Sequence, residues 1–358
     1  MPKVLSRTDC LYETIHKRLA IVRDKPPSIS IIIPTLNSDR TLDACLDSIK
    51  DQDYPKDLVE ILVADAGSSD KTLEILKKHG VDKILPNLLI TGEAGKAVGV
   101  EAASNEVIAL LDSDNILDGR DWLTRMVAPF NDSVIVGSEP LYYSYRKEDT
   151  LINRYCALLG MNDPLCLYLG NYDRFSQLTG KWTGMKIDVI QKDSYLQVEL
   201  NSRNIPTIGA NGFLVRRDLL VETAYRPYLF DIDVVHQLVE SGKTRFAKVD
   251  IGIIHVFADR TRDFVGKQRR RINDYLYFKK QDMRSYPWQK TNKKGLVKFI
   301  LATVLTFPLI FSALRGYMRI RDRAWFFHIV ACWLTLLIYA WGTMRGFLGI
   351  VSSHRRPV

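Results

Sequence analysis

Val107-Ile108-Ala109-Leu110-Leu111-Asp112-Ser113-Asp114 sets five consecutive apolar residues against two carboxylates two positions apart. An unbroken apolar run of this length fits a strand buried on both faces of a parallel sheet, where helices cover either side. Residues i and i+2 of an extended chain share one side, so Asp112 and Asp114 are expected to point together from the strand's carboxyl end. That end is where open α/β sheets bind their ligands. Two convergent carboxylates repel unless a divalent cation or a hydrogen-bonded ligand lies between them. The alternative is a solvated loop in which Asp114 caps the following turn.

Outward from this stretch the pattern repeats. Ser30-Ile31-Ile32-Ile33 predicts a buried strand that runs into the polar loop Pro34-Thr35-Leu36-Asn37, and residues 39–50 carry Leu42, Cys45, Leu46 and Ile49 at helical spacing. A second strand, Val59 to Ala64, ends in Asp65-Ala66-Gly67-Ser68-Ser69-Asp70, with helices expected over 70–79 and from Gly95 to Ala103. Strand and helix alternating, with polar residues at each strand's carboxyl end, is a doubly wound α/β pattern. Beyond it, Val134 to Gly137 predicts a strand, and 140–200 is rich in Tyr, Asn and Gly without a sustained period. Thr207 to Arg217 has strand character around a glycine-flanked Asn. Residues 232–240 predict a helix, and 249–256 a strand ending near His255.

The formal charge of +9 is unevenly spread: residues 266–323 hold 15 Lys/Arg against 3 Asp/Glu, whereas 1–265 are mildly acidic. An acidic body on a basic neck does not resemble a nucleic-acid-binding surface, which would carry its charge over the folded domain. It fits a protein held against anionic lipid. Leu296 to Leu314 is apolar except for Lys298 and contains Pro308. Ala324 to Met344 is free of charge for 21 residues, enough to cross about 30 Å of hydrocarbon. Trp325, Trp333, Tyr339 and Trp341 include candidates for interfacial anchors. The four Arg of 315–323 oppose a simple two-helix hairpin under the positive-inside tendency, and an in-plane or re-entrant first segment would remove the conflict. Five scattered cysteines without metal-ligand spacing are expected as free thiols, and the N-terminus lacks the apolar core of a signal peptide. The bulk of the chain is therefore expected in the cytoplasm.

Several side chains carry candidate chemistry. Asp65, before Gly67 and Ser68, can accept hydrogen bonds from a ligand, leaving Asp70 as the helix cap. Lys96 can meet a diphosphate near a helix N-terminus, or be solvated. His255 can offer imidazole to a metal, or be a satisfied core histidine. Asp231 and Asp233 precede a helix that either could cap, and either could act as a general base. The run from Gln268 to Arg271 fits a phosphate contact, a lipid headgroup contact or a plain basic neck.

Taken in order, Ile-Ile-Ile-Pro-Thr-Leu-Asn, Val-Ala-Asp-Ala-Gly-Ser-Ser-Asp-Lys-Thr, Gly-Lys-Ala-Val-Gly-Val-Glu-Ala-Ala, Leu-Leu-Asp-Ser-Asp, Gly-Ala-Asn-Gly-Phe-Leu-Val-Arg-Arg and Phe-Asp-Ile-Asp resemble the family 2 glycosyltransferases over about residues 28–270. The resemblance implies an α/β fold, a GT-A (Rossmann-like nucleotide-binding) domain with C-terminal membrane-associated helices, and inverting transfer of a sugar. It implies that Pro34, Thr35, Asn37 and Asp65 line the nucleotide, joined by Lys96 and Ser113 as donor contacts. Asp112 and Asp114, with His255, would hold a divalent metal, magnesium or manganese, on the donor's diphosphate. Asn211 and Gly212 would lie near donor sugar and acceptor, with Asp233, and Asp231 would be the catalytic base. Three departures stand out: Ala66, Phe230 before the base, and Ile272 where processive members have Trp in a Gln-x-x-Arg-Trp pattern.

The expected organisation is an N-terminal extension (1–27), the GT-A domain (28–265), a basic juxtamembrane neck (266–295) and a C-terminal membrane region of one or two helices (296–358). The expected partners are a nucleotide-sugar donor, a lipid-linked or glycan acceptor and membrane lipids, with no nucleic acid. The expected acceptor is membrane-linked, a polyprenyl-phosphate-linked glycan or a glycolipid, and the expected place is the cytoplasmic side of the cell inner membrane, in polysaccharide or glycolipid synthesis. A soluble or protein acceptor, or an inactive membrane-anchored nucleotide-sugar-binding scaffold, are the alternatives.

Overall fold

The computed structural model describes residues 25–287 and 292–349; positions 1–24 of the expected extension lie outside them. The first half runs β1 (Ile29–Thr35), α1 (Leu42–Lys50), β2 (Val59–Asp65), α2 (Thr72–His79), β3 (Lys83–Pro86), α3 (Gly92–Ala102), β4 (Val107–Leu110), β5 (Asn115–Leu117), α4 (Trp122–Val127) and β6 (Gly137–Tyr143). Then follow α5 (Leu151–Leu159), α6 (Leu165–Leu169), β7 (Asp188–Gln191), β8 (Tyr195–Glu199), β9 (Phe213–Arg216), α7 (Arg217–Leu220), α8 (Asp231–Glu240) and β10 (Arg245–His255). The last four helices are α9 (Thr261–Lys280), α10 (Lys293–Leu305), α11 (Phe307–Arg319) and α12 (Phe327–Phe347).

The strands form one sheet in the order β3-β2-β1-β4-β9-β6-β10-β8-β7, with β5 also pairing β10. β3, β2, β1 and β4 are mutually parallel, as the apolar runs predict. β9 is antiparallel to both β4 and β6, and the β7–β8 hairpin adds antiparallel strands, so the sheet is mixed rather than uniformly wound. β1 alternates between two cores: Ile29, Ile31 and Ile33 meet Leu42, Cys45, Leu46 and Ile49 of α1, while Ile32 faces α3 and α8. α3 lies so close that a Cβ on Gly99 would sit 2.2 Å from Ile32 Cγ2. That seating draws Lys96, one turn earlier, into the buried ground behind the carboxyl ends of β1 and β4.

Three strand expectations shift for local reasons. The strand expected from Val134 starts at Gly137, because the Asp132 side chain and carbonyl accept from Val134 N and Ile135 N and close a turn. The strand expected from Thr207 is only Phe213–Arg216, because Gly209, Asn211 and Gly212 all have positive φ, which no strand accommodates. β10 begins at Arg245, four residues before the expected start.

In the C-terminal region, α10 and α11 bend by 93° at Thr306, ahead of Pro308 in the first turn of α11. Among the described residues Arg323–Phe347 is the one helix long and apolar enough to cross a membrane, and the bent pair is a second candidate only if counted as one broken span. α12 also packs on the catalytic half: Gly342 lies against Ile272 and Gly346 against Leu276 of α9. Of the four candidate anchors, Trp325 is instead fully buried against Gly316, the Trp333 indole N–H donates to Thr306, and the Tyr339 hydroxyl donates to Asp163 at 2.6 Å with Gln268 Oε1 2.9 Å away. Each has found a polar or packing partner inside the fold, and only Trp341 is turned outward, 60% exposed. α9 runs unbroken through position 265/266, where catalytic domain and neck were expected to part.

Candidate active site

A cleft of about 760 Å³ opens at the carboxyl ends of β1 and β4, the point where strand order reverses. Its walls bring together Pro34, Thr35, Asn37, Lys96, Asp112, Ser113, Asp114, Asn211, Asp231 and His255 from the expected set. Asp65, Gly212 and Asp233 are not among the lining residues.

Asp112 and Asp114 both line the cleft, but not by the extended geometry that would put them on one side. The strand ends at Leu110, and Asn115 then closes a turn by donating its N–H to Asp112 O while its side chain accepts from Asp112 N. The two carboxylates therefore face different partners. Asp112 lies 3.8 Å from Lys96 Nζ. Asp114 Oδ2 accepts from Lys267 Nζ at 2.8 Å, and its Oδ1 lies 3.4 Å from His255 Nε2. Burial disfavours the charge on Asp114, but Lys267 and His255 beside it outweigh this and hold the carboxyl well below its ordinary range.

Asp231 opens α8 and accepts from Lys96 Nζ with both oxygens, each at 3.0 Å. Burial pushes its pKa up to about 6; Lys96 opposes the rise and Asp112 adds to it. Burial works against the Lys96 ammonium, yet Asp112 and Asp231 hold its pKa above the usual lysine value. Lys96 thus stands between two cleft carboxylates, where the sequence offered a diphosphate contact or a solvated lysine.

Asp65, expected free for ligand, is saturated. Its oxygens accept from Thr35 Oγ1 at 3.0 Å, Ser68 Oγ at 2.5 Å, and the Gly67 and Ser68 N–H groups at 2.9 Å each. These bonds fix Thr35 and the loop after β2. Asp233 points the other way from Asp231, because two positions along a helix are on opposite faces. Arg284 grips both its oxygens, at 3.0 and 2.8 Å, and Ser285 N–H donates at 2.9 Å. Gly212 backs onto the core, where a Cβ would meet Ile253 at 2.8 Å. Its neighbour Asn211 is the one in the cleft, donating to Tyr143 Oη at 3.2 Å and accepting from Asn115 at 3.1 Å.

Sequence reasoning missed what holds the Asn211 loop. Glu139, Arg174 and Lys248 are completely buried beneath it. Glu139 accepts from Gly209 N–H at 3.0 Å, from Lys248 at 2.6 Å and pairs with Arg174 at 2.7 Å, while Arg174 donates to the carbonyls of Ala210 and Asn211. Gly209 is in turn pressed against Asp231, since a Cβ there would lie 2.9 Å from Asp231 Cβ. Burial raises the Glu139 carboxyl, but Arg174 and Lys248 override it and keep the group ionised; burial drops Lys248 to about 8 against the pull of Glu139. No spacing rule links these residues. Of Lys267 and Arg270, which also face the cleft, Arg270 lies in the Gln268–Arg271 run noted from sequence and Lys267 just before it, in the basic neck.

The donor set fits a hard divalent cation: carboxylate oxygens and one imidazole nitrogen suit magnesium or manganese. Asp114 Oδ1 is buried with no hydrogen-bond partner and stands opposite His255 Nε2, an oxygen left able to ligate. Elsewhere, Asp43, Asp47 and His79 bring ligand atoms within 4.8 Å of one another on α1 and α2, but Asp43 there is already engaged by Lys78 and His79.

Residues 30–189 match the family model described as glycosyl transferase family 2. The glycosyltransferase AglE of Haloferax volcanii is 31% identical over 142 residues, covering 38% of this chain and 46% of that protein. A Methanococcus voltae protein, the dolichyl N-acetyl-alpha-D-glucosaminyl phosphate 3-beta-D-2,3-diacetamido-2,3-dideoxy-beta-D-glucuronosyltransferase, is 47% identical over 60 residues, 16% of this chain and 19% of its own length. The matched stretch thus spans less than half the length of either relative. Among solved structures, the mannosyltransferase PcManGT of Pyrobaculum calidifontis, in complex with GDP-Man and Mn2+, is similar with a TM-score of 0.51 at 15% identity. That likeness covers 93% of this chain and 94% of the other, a likeness of fold.

Proposed function

This chain belongs to glycosyl transferase family 2 and has the GT-A fold, and on that premise we propose that it moves a sugar, with inversion, from a nucleotide-diphosphate donor to a membrane-linked acceptor at the cytoplasmic face. The observation that carries the reading is Asp231, a carboxylate with pKa raised to about 6, held by Lys96 in the same cleft as Asp112 and Asp114. A base of that strength is ionised at neutral pH and takes a hydroxyl proton more readily than an ordinary aspartate.

In the step proposed, Asp231 takes the proton of an acceptor hydroxyl as that oxygen bonds to the donor's anomeric carbon. The bond from that carbon to the diphosphate breaks, and the electron pair leaves with the diphosphate. Pro34, Thr35 and Asn37 would border the nucleotide, with Asp65 acting through Thr35. A divalent cation, magnesium or manganese, held by Asp114 and His255 with Asp112 close by, would neutralise the departing diphosphate when bound. Lys267 and Arg270 would add positive charge at the same end.

A membrane-linked acceptor is supported by the apolar surfaces of α10, α11 and α12, where Leu301, Phe307, Phe311 and Trp341 stand well exposed. It is supported too by the lipid phosphate in the name of the Methanococcus relative. The test is to incubate the purified full-length protein in detergent with a panel of nucleotide sugars, manganese or magnesium, and lipid extract. Transfer into the lipid fraction is expected. Transfer only to water-soluble acceptors would overturn the membrane-linked part, and neither transfer nor metal-dependent nucleotide binding would overturn the enzyme.

A further inference from the structure

The imidazole of His255 is held from both edges. His255 ends β10, and the rings of Tyr143 and Phe257 pack beside it, each with its centroid 5.5 Å away. Between them Nε2 is directed at Asp114 Oδ1, 3.4 Å off. Nδ1, on the other edge, lies 3.2 Å from the side-chain nitrogen of Asn162. A neutral imidazole has one N–H and one lone pair, so the partner of one nitrogen decides what the other can offer.

Asn162 reaches this place through a tight turn. Gly160, at φ 75°, leads the chain out of α5 at a point where a Cβ would meet Phe175 O at 2.5 Å. The Asn162 carbonyl accepts from Gln268 of α9 at 2.9 Å, and the carboxylate of Asp163 accepts from the Tyr339 hydroxyl of α12 at 2.6 Å. The backbone is thus tied to two helices while the side chain enters the cleft. There its amide nitrogen donates to Tyr143 Oη at 3.3 Å as well as to His255, and its amide oxygen is buried with no hydrogen-bond partner.

An amide turned end for end about its Cβ–Cγ bond keeps its shape and exchanges nitrogen for oxygen. The oxygen would then accept from Tyr143 Oη–H and His255 Nδ1–H. The end that turns away forfeits no bond, because nothing bonds to that position in the first orientation. The Tyr143 hydroxyl gains one. Facing nitrogen, it accepts from Asn162 and Asn211 while its own proton has no acceptor among the described residues; facing oxygen, it donates to Asn162 and still accepts from Asn211. The imidazole changes most. Facing nitrogen, Nδ1 must accept, and Nε2 carries the proton toward Asp114. Facing oxygen, Nδ1 carries the proton, and the Nε2 lone pair meets the unpartnered Asp114 Oδ1 across a gap that a cation would fill.

We propose that Asn162 is a positioning residue for the divalent cation: its amide oxygen accepts from His255 Nδ1–H and so fixes the tautomer whose Nε2 joins Asp114 Oδ1 as a ligand. Metal-bound histidines are commonly oriented by such an acceptor on the second nitrogen. The unpartnered amide oxygen beside a doubly accepting tyrosine carries the assignment. It rests on the cation site at Asp114 and His255 proposed above.

The test titrates manganese alone into the full-length protein in detergent and follows the free ion by electron paramagnetic resonance. His255→Ala is expected to weaken binding at least about tenfold and reports the cation site itself. Asn162→Leu, of similar volume but unable to accept, is expected to weaken it by about 10–100-fold, the loss usual for partners one step from a metal. Asn162→Asp, which can only accept, is expected to bind manganese at least as tightly as wild type, and it decides the matter even if the leucine variant does not fold. In the His255→Ala background Asn162→Asp is expected to leave the affinity unchanged, because its effect passes through the imidazole. Wild-type affinity in Asn162→Leu, a loss in Asn162→Asp, or an equal gain from Asn162→Asp without the imidazole would each overturn the role of Asn162 and leave the cation site standing. Wild-type affinity in His255→Ala would instead remove the cation site, and this role with it.

Discussion

Two groups of buried charge flank the loop that carries Asn211, and they are completed to different degrees. On one side, Glu139, Arg174 and Lys248 are fully buried, and both oxygens of Glu139 are taken by Gly209, Lys248 and Arg174. On the other, Asp112, Asp114, Asp231, Lys96 and Lys267 line an open cleft. There Asp114 keeps an oxygen with no hydrogen-bond partner, and the Asp112 carboxylate comes no nearer than 3.8 Å to Lys96. A buried polar network contributes when all its members are satisfied, and one left partly open is costly unless a ligand completes it. The first group is a strut. The second holds capacity in reserve, at the place where a charged ligand would arrive.

The largest expected effect separates the two groups by what they break. Asp231→Asn is expected to cut transfer by about 10²–10⁴-fold, the range a general base contributes, while metal-dependent nucleotide affinity stays near wild type. Steady-state rates and equilibrium nucleotide binding on one preparation check this, and retained transfer would remove Asp231 as the base. Glu139→Ala works in the opposite sense. It removes one of the two carboxylates, Glu139 and Asp173, that sit against the buried Arg174 and Lys248, and removing one partner of a buried pair costs about 3–5 kcal/mol. The expected result is a lower denaturant midpoint at unchanged m-value; a midpoint at the wild-type position would show that the strut bears little weight.

Asp114→Asn sharpens the contrast at smaller scale. Lys267 is 25% exposed and can turn to solvent, so the stability cost is expected to stay well below that of Glu139→Ala. Metal-dependent nucleotide binding is expected to fall at least about tenfold, since even partners one step removed from a metal affect affinity by 10–100-fold. Titration with manganese at fixed nucleotide decides it, and unchanged metal dependence would move the cation elsewhere.

How far these features could be read from the chain depended on the distance between partners. β1, α1, β2, α2 and β4 were legible because alternation and helical spacing are properties of neighbours along the chain. The cleft at the ends of β1 and β4 followed from the same local patterns. The hydrogen bonds that occupy Asp65 could not be read along the chain, because they depend on loop geometry that places Gly67 N, Ser68 and Thr35 around one carboxylate. Asp233 could not be separated from Asp231 without knowing that Arg284, 51 residues on, closes over it. The pairing of Glu139 with Lys248 spans 109 residues and belongs to no motif, so nothing along the chain marked Glu139 as anything but a polar residue before a proline. Asp112 and Asp114 do meet in one cleft, but through a turn and not through the extended geometry assumed, which stops at Leu110.

The smallest effect is graded, and it reads the balance inside the open group. Asp231 must be ionised to accept a proton, and its pKa lies near 6 instead of the ordinary 3.8. Protonation therefore disables it from the acid side: kcat/KM is expected to be flat above about pH 7 and to fall tenfold per pH unit below 6, following one proton. Burial raises this pKa and Lys96 restrains it, so Lys96→Gln removes the restraint and should move the acid limb to higher pH. Asp233→Asn should leave the limb in place, because that carboxylate is held by Arg284 outside the cleft. A limb that stays near pH 6 in Lys96→Gln would mean that Lys96 does not set the proton affinity of Asp231. A limb that moves in Asp233→Asn would mean that the two aspartates, opposed on α8, are not electrically separate.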